Sequence, residues 1–144
     1  MPLEAIAYHL PRLKTIVVLP SSDGPGKKDG TWRDFSAFQS LVLHLTSGSE
    51  QPVVSGPPVA WPNGLDFESP KNLVTALNRV YDELHRNKTE DRDIMTDITG
   101  GQKVPGVAGA VAALGAHRRI QYVSTRDLTV RSYDITYEAA IQAP

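Results

Sequence analysis

The chain has 144 residues, no cysteine and a formal net charge of −1. That length suits one domain, 1–144, able to bury roughly 70% of its unfolded surface without disulfides or a structural metal, and the missing cysteines exclude thiolate chemistry and fit a reducing compartment. The balance of 15 Lys+Arg against 16 Asp+Glu excludes general DNA coating, while a local basic pocket stays open.

In chain order, the β-branched run "LKTIVVLP" (13–20) reads as a buried parallel strand ended by Pro20. A polar Gly/Pro/Lys loop follows, "SSDGPGKKDG" (21–30). Trp32, Phe35, Phe38, Val42 and Leu45 recur at helical spacing over 31–48, with Gly48 as a stop. The Pro/Gly-rich stretch 50–69 is a surface connection with a short strand at 52–55. A helix over 69–87 has Ser69 as cap, Pro70 at its first position and a stripe of Leu73, Leu77, Val80 and Leu84. "RDIMTDI" (92–98) is a second central strand, 104–116 a helix with Pro105 near its start, and "RRIQYVST" (118–125) a third strand. The alternation over 127–139 gives one or two closing strands. No apolar run approaches the roughly 18 residues of a membrane helix and no signal peptide opens the chain, so a cytoplasmic location is expected.

This order of strands and helices implies an α/β fold, a mostly parallel central sheet covered by helices on both faces and closed by C-terminal strands. Ligands in such sheets bind at the carboxyl ends of strands. Two loops stand there, 20–30 and 98–103. In the second, Thr99-Gly100-Gly101-Gln102-Lys103 joins a strand to a helix. Glycines let backbone N–H groups approach a ligand, the helix start offers unpaired N–H groups, Thr99 adds a hydroxyl and Lys103 a charge; together these make an anion site. An ordinary turn with a surface lysine is the competing reading. In the first loop Ser21, Ser22, Asp23, Lys27 and Lys28 suit phosphate or ribose contacts, against a merely solvated loop. Trp32 either stacks on a base or packs in the core.

The helix after Lys103 consists almost wholly of Gly, Ala and Val. Its glycines cost about 1 kcal/mol each against alanine, so close packing must compensate, on its own sheet or on a second copy of the chain. His9, His44, His85 and His117 lack metal-ligand spacing, and no metal or cofactor is expected. Neither a Walker loop, a G-x-G-x-x-G nor a G-x-S-x-G elbow is present.

Asp97-Ile98-Thr99-Gly100-Gly101-Gln102-Lys103, followed by the small-residue helix and "YVST" (122–125), resembles the D-x-T-G-G-x-K signature of the CARF and SAVED domains, Rossmann-like receptors for cyclic oligonucleotides in prokaryotic antiviral (CRISPR) defence. "TIVVLPSSDG" and "DLTVRSYDITYE" are similar to the family's first strand and closing strands, so the likeness covers most of 14–138. It implies a Rossmann-like three-layer sandwich, a homodimer, and a cyclic oligoadenylate held by Thr99, Gly100, Gly101, Gln102 and Lys103, with Ser21, Ser22 and Asp23 from the first loop. It also implies one of three roles: a stand-alone ring nuclease, with Thr99 and Lys103 catalytic and no metal; a sensing subunit acting on a separate effector protein; or a sensor domain excised from a longer chain. A different nucleotide-binding Rossmann domain is the further alternative.

Overall fold

A computed structural model describes residues 2–10, 12–48, 50–56, 58–100, 103–114 and 118–134. An element not expected from the sequence opens it: helix α1, Pro2–His9, with Pro2 at its first position and Ala5 and Ile6 buried. Eight residues are too few for a periodic signal to stand out. Strand β1 is Thr15–Val17, and after a 3-10 turn at Thr31–Asp34 comes helix α2, Phe35–Leu45. The short strand expected at 52–55 is β2, Val53–Ser55. Helix α3 is Pro70–Arg86, capped by the Ser69 hydroxyl, which accepts from the Asn72 N–H at 3.4 Å. Then follow β3 (Met95–Asp97), α4 (Lys103–Ala113), β4 (Arg119–Val123) and β5 (Val130–Asp134). The expectations for 135–144 lie outside the described residues.

The described residues form a mixed α/β structure with four α-helices and two small sheets. β1 and β2 pair in parallel, Ile16 opposite Val54. The pairing resumes beyond β1: the Leu65 N–H donates to the Pro20 carbonyl at 2.9 Å and the Ser22 N–H to the Leu65 carbonyl at 2.8 Å. The second sheet runs β3-β4-β5, with β3 and β4 parallel, Asp97 opposite Gln121, and β5 antiparallel. The described strands thus fall into two separately bonded sheets, where the sequence pattern implied one. Both parallel strands are three residues long instead of seven or eight, because the apolar runs continue past the hydrogen-bonded pairs into the loops.

Alternation along β3 sends its side chains to opposite faces. Thr96 and Ile98 look toward α4, where a Cβ on Gly109 would lie 2.6 Å from Ile98 Cγ2. A glycine there lets the helix backbone sit directly on the strand. Asp97 and Gln121 look the other way, toward α1. Ala108, Gly109, Ala112 and Ala113 are buried inside the chain, so the small face of α4 serves its own fold, through α3 and β3. Val107 and Val111 on its outer side, and Leu114 just past its end, are exposed.

Arg118, just before β4, ties α3 to α4: it donates to Asn78 Oδ1 of α3 at 3.1 Å and to the Ala112 carbonyl of α4 at 2.8 Å, and it lies 3.9 Å over the Tyr81 ring of α3. The Tyr81 hydroxyl in turn meets Thr96 Oγ1 at 2.8 Å. The main apolar cluster is Leu65, Leu73, Ala76 and Ala108, with Leu19 and Val104 packed against it. Leu19 precedes the first loop and Val104 follows Lys103. One core therefore underlies both candidate loops.

Candidate functional site

The 98–103 loop leaves β3 at Asp97 and enters α4 at Lys103. Its start is anchored from three directions. One Asp97 oxygen accepts the Thr99 N–H at 2.7 Å, closing an Asx-type turn. The other accepts the Gln121 side-chain N–H at 3.0 Å. Gln121, 4% exposed, has its amide oxygen 2.6 Å from His9 Nε2. Thr99 Oγ1 accepts the Val123 N–H at 2.8 Å, and the Ile98 N–H donates to the Gln121 carbonyl at 2.9 Å, so the backbone pairing of β3 and β4 passes into the loop.

Beyond Thr99 the loop opens. Gly100 is exposed, and an added Cβ would meet nothing within 4 Å. Gly106, in the first turn of α4, is equally open. Among the nine described glycines these two alone combine an ordinary φ with an open Cβ direction. Gly26, Gly48 and Gly64 have positive φ, and a Cβ added at Gly30, Gly56 or Gly109 would lie under 3 Å from a neighbour. Packing or backbone conformation accounts for those six; Gly24 has an ordinary φ and would place an added Cβ 3.4 Å from Asp29 Oδ1, and Gly100 and Gly106 are the two with nothing there at all. Lys103 is exposed at the first position of α4. Pro105 has no N–H, so the amides of that turn without an intrahelical partner are those of Lys103 and Val104. Gly101 and Gln102 lie outside the described residues.

The 20–30 loop is built differently. The Ser21 N–H donates to Thr31 Oγ1 at 2.9 Å, and the two hydroxyls lie 3.1 Å apart. Asp23 receives both arms of the Arg33 guanidinium and the Gly30 N–H at 2.9 Å. The Arg33 hydrogen bonds, then the Gly30 amide, hold its carboxyl far below the usual carboxylate range. Asp29 accepts the Gly24 N–H at 3.0 Å. Ser22 is half-buried beside Leu65, and Lys27 and Lys28 are exposed. Trp32 is half-buried under Arg33, whose guanidinium lies 4.4 Å from its ring centre.

Sequence reading did not single out His9, Gln121 and Arg33. Gln121 had a signal: a polar residue inside "RRIQYV" needs a partner once the strand is buried. His9 and Arg33 had none, because both partners are fixed only by tertiary folding. Among the described residues no group of three or more His, Asp or Glu is placed to hold a metal ion, and no helix is long and apolar enough to cross a membrane. An open concavity of about 750 Å³ at His85, Lys88 and Asp91 lies before β3, at the opposite end of that strand from the loop.

Neither a family model nor a solved structure matches the chain. It is 35% identical over 135 residues to a protein of Aquifex aeolicus (strain VF5) described as uncharacterized, a match covering 94% of this chain and 40% of that protein. The chain thus spans well under half the length of this relative.

Proposed function

We propose that the chain binds a cyclic oligoadenylate second messenger of prokaryotic antiviral defence, with a phosphate of the ring on the 98–103 loop. The observation that carries this reading is the pair Gly100 and Gly106, neither required by φ or by packing, flanking Lys103 and the unpaired amides of α4. Bare backbone, a helix start and one mobile cation are what a phosphate takes. The D-x-T-G-G-x-K resemblance supplies the ligand class and a Rossmann-like frame. The assembly proposed is a homodimer, in which a two-fold axis matches the symmetry of a ring and Val107 and Val111 of α4, with Leu114 just past its end, supply apolar contact.

In the ring-nuclease form of this reading, the ligand's own 2′-oxygen attacks the adjacent phosphorus, loses its proton, and expels the next nucleotide's 5′-oxygen, which gains one. The products are a 2′,3′-cyclic phosphate and a 5′-hydroxyl. The protein's part is alignment and charge neutralisation, by Thr99, the glycine amides and Lys103. The sensor form has its own support: the relative is more than twice the matched length, room for a further domain in that protein. Incubation with labelled cyclic tri-, tetra- and hexa-adenylate in EDTA separates the two. Linear products favour the nuclease; an intact, protein-bound ring favours the sensor; no binding of any ring refutes the proposal.

A further inference from the structure

A buried side chain links α1 to the loop, and its hydrogen-bond directions follow from chemistry alone. Asp97 is a carboxylate and only accepts. Gln121 must therefore present its NH₂ to Asp97 Oδ2, at 3.0 Å. That choice leaves the Gln121 amide oxygen facing His9 Nε2, at 2.6 Å. An oxygen only accepts, so Nε2 of His9 carries the hydrogen. The order of donors is thus His9 to Gln121 to Asp97, and the free Asp97 oxygen takes the Thr99 N–H at 2.7 Å. Donation therefore converges on Asp97, from His9 through Gln121 on one side and from the Thr99 amide on the other. Gln121 sits at 4% exposure, where losing either partner leaves a polar atom unpaired and costly.

We infer that His9 and Gln121 are positioning residues of the ligand loop: they orient the Asp97 carboxylate, which holds the Thr99 turn and so aims the Gly100 backbone outward. α1 is then part of the site's frame, although it contributes nothing to the loop's sequence. The ligand-affinity part of this inference rests on the function proposed above; the loop-ordering part does not.

The test uses two readouts on the full chain: amide hydrogen exchange at Thr99 and Gly100, and titration with cyclic tetra-adenylate. Gln121→Met keeps the side chain's length and removes both hydrogen bonds. His9→Leu removes the donor at the far end, and its half-buried place on α1 spares the fold if the Gln121 variant fails to fold. Both should speed Thr99 exchange by at least about tenfold and weaken ring binding on the order of tenfold, the scale of a lost hydrogen bond to a charged group. His9→Gln, which returns an N–H donor near the Nε2 position, should restore both. Faster exchange in the variants of a chain that binds no ring would sink the proposed function and keep the positioning role. Unchanged exchange at Thr99 in His9→Leu would overturn the positioning role, whatever the ring does.

Discussion

The two loops at the carboxyl ends of β1 and β3 share one apolar core but use their polar groups in opposite ways. In the 20–30 loop the groups bond within the loop or to the 3-10 turn that follows it directly. Asp23 is committed to Arg33 and Gly30, Ser21 to Thr31, and Asp29 to Gly24. In the 98–103 loop the anchors come from outside, through Gln121, His9 and Val123, and the tip is left bare at Gly100. A loop that satisfies itself has little left to offer a ligand. A loop held from behind, with the exposed backbone of Gly100 in front, can turn that backbone toward a ligand.

The largest expected effect breaks this comparison at Gly100. Its Cβ direction is open and its φ ordinary, so Gly100→Ala should keep or raise stability, by about 0.4–1 kcal/mol, through the unfolded chain. Gly100→Val should nevertheless weaken ring binding on the order of 100-fold, the equivalent of one or two lost charge-assisted hydrogen bonds. Calorimetric titration reads the binding and a thermal melt the stability. Gly109→Ala is the reverse control. Its new Cβ would lie 2.6 Å from the stiff Ile98 methyl, so stability should fall by about 1–3 kcal/mol. Unaltered binding in Gly100→Val would remove the observation on which the proposed function stands.

That contrast between glycines was not legible in the sequence, where Gly100 and Gly109 look alike. What could be read were features carried by local rules: the Ser69-Pro70 start of α3 and the strand–loop–helix course around Thr99. The helix of small residues was legible as a packing problem, and the structure resolves its inner face in favour of its own sheet and α3. Features that depend on long-range partners were hidden. Tyr81 is buried because it meets Thr96 and Arg118, not because it fits the expected leucine stripe. The division into two sheets depends on which strand edges meet, which alternation of apolar residues does not encode.

Thr99 comes next in size. Its hydroxyl oxygen accepts the N–H of Val123, a residue 2% exposed. Thr99→Ala leaves that amide unpaired and should cost about 1–3 kcal/mol of stability, besides lowering any ring cleavage on the order of 10²-fold. Thr99→Ser keeps the oxygen and should recover most of both. If serine recovers stability but not cleavage, the threonine methyl shapes the site; if alanine loses neither, the anchor from β4 is dispensable and the two loops are less different than argued.

Lys103→Ala should act on binding alone. The side chain is exposed, and surface substitutions usually change stability by no more than about 0.5 kcal/mol. Ring affinity should drop on the order of tenfold at low salt, with a smaller loss at high salt, since an exposed charge is screened. A salt-independent loss would mean that Lys103 acts through loop structure and not through its charge.

The smallest effect is expected from the self-satisfied loop, and it appears in acid. Arg33 and Gly30 hold the Asp23 carboxyl below its unfolded value of about 3.9. The folded state therefore binds the proton less readily than the unfolded one. The stabilisation is present above pH ~3.9 and is lost as pH falls from there toward the folded value. Protection of the Gly30 amide, which Asp23 accepts, should persist at pH 4 and fade only in stronger acid. Asp23→Asn should abolish that acid step and lower Gly30 protection by a few-fold, a modest change because the ion pair is solvent-facing and screened. Ring affinity at neutral pH should move by no more than about twofold, since a residue already spent on Arg33 has no second bond to give. A tenfold loss would instead place Asp23 on the ligand, and the first loop would then contribute contacts as the family resemblance implies, with Arg33 released to the phosphate when the ring binds.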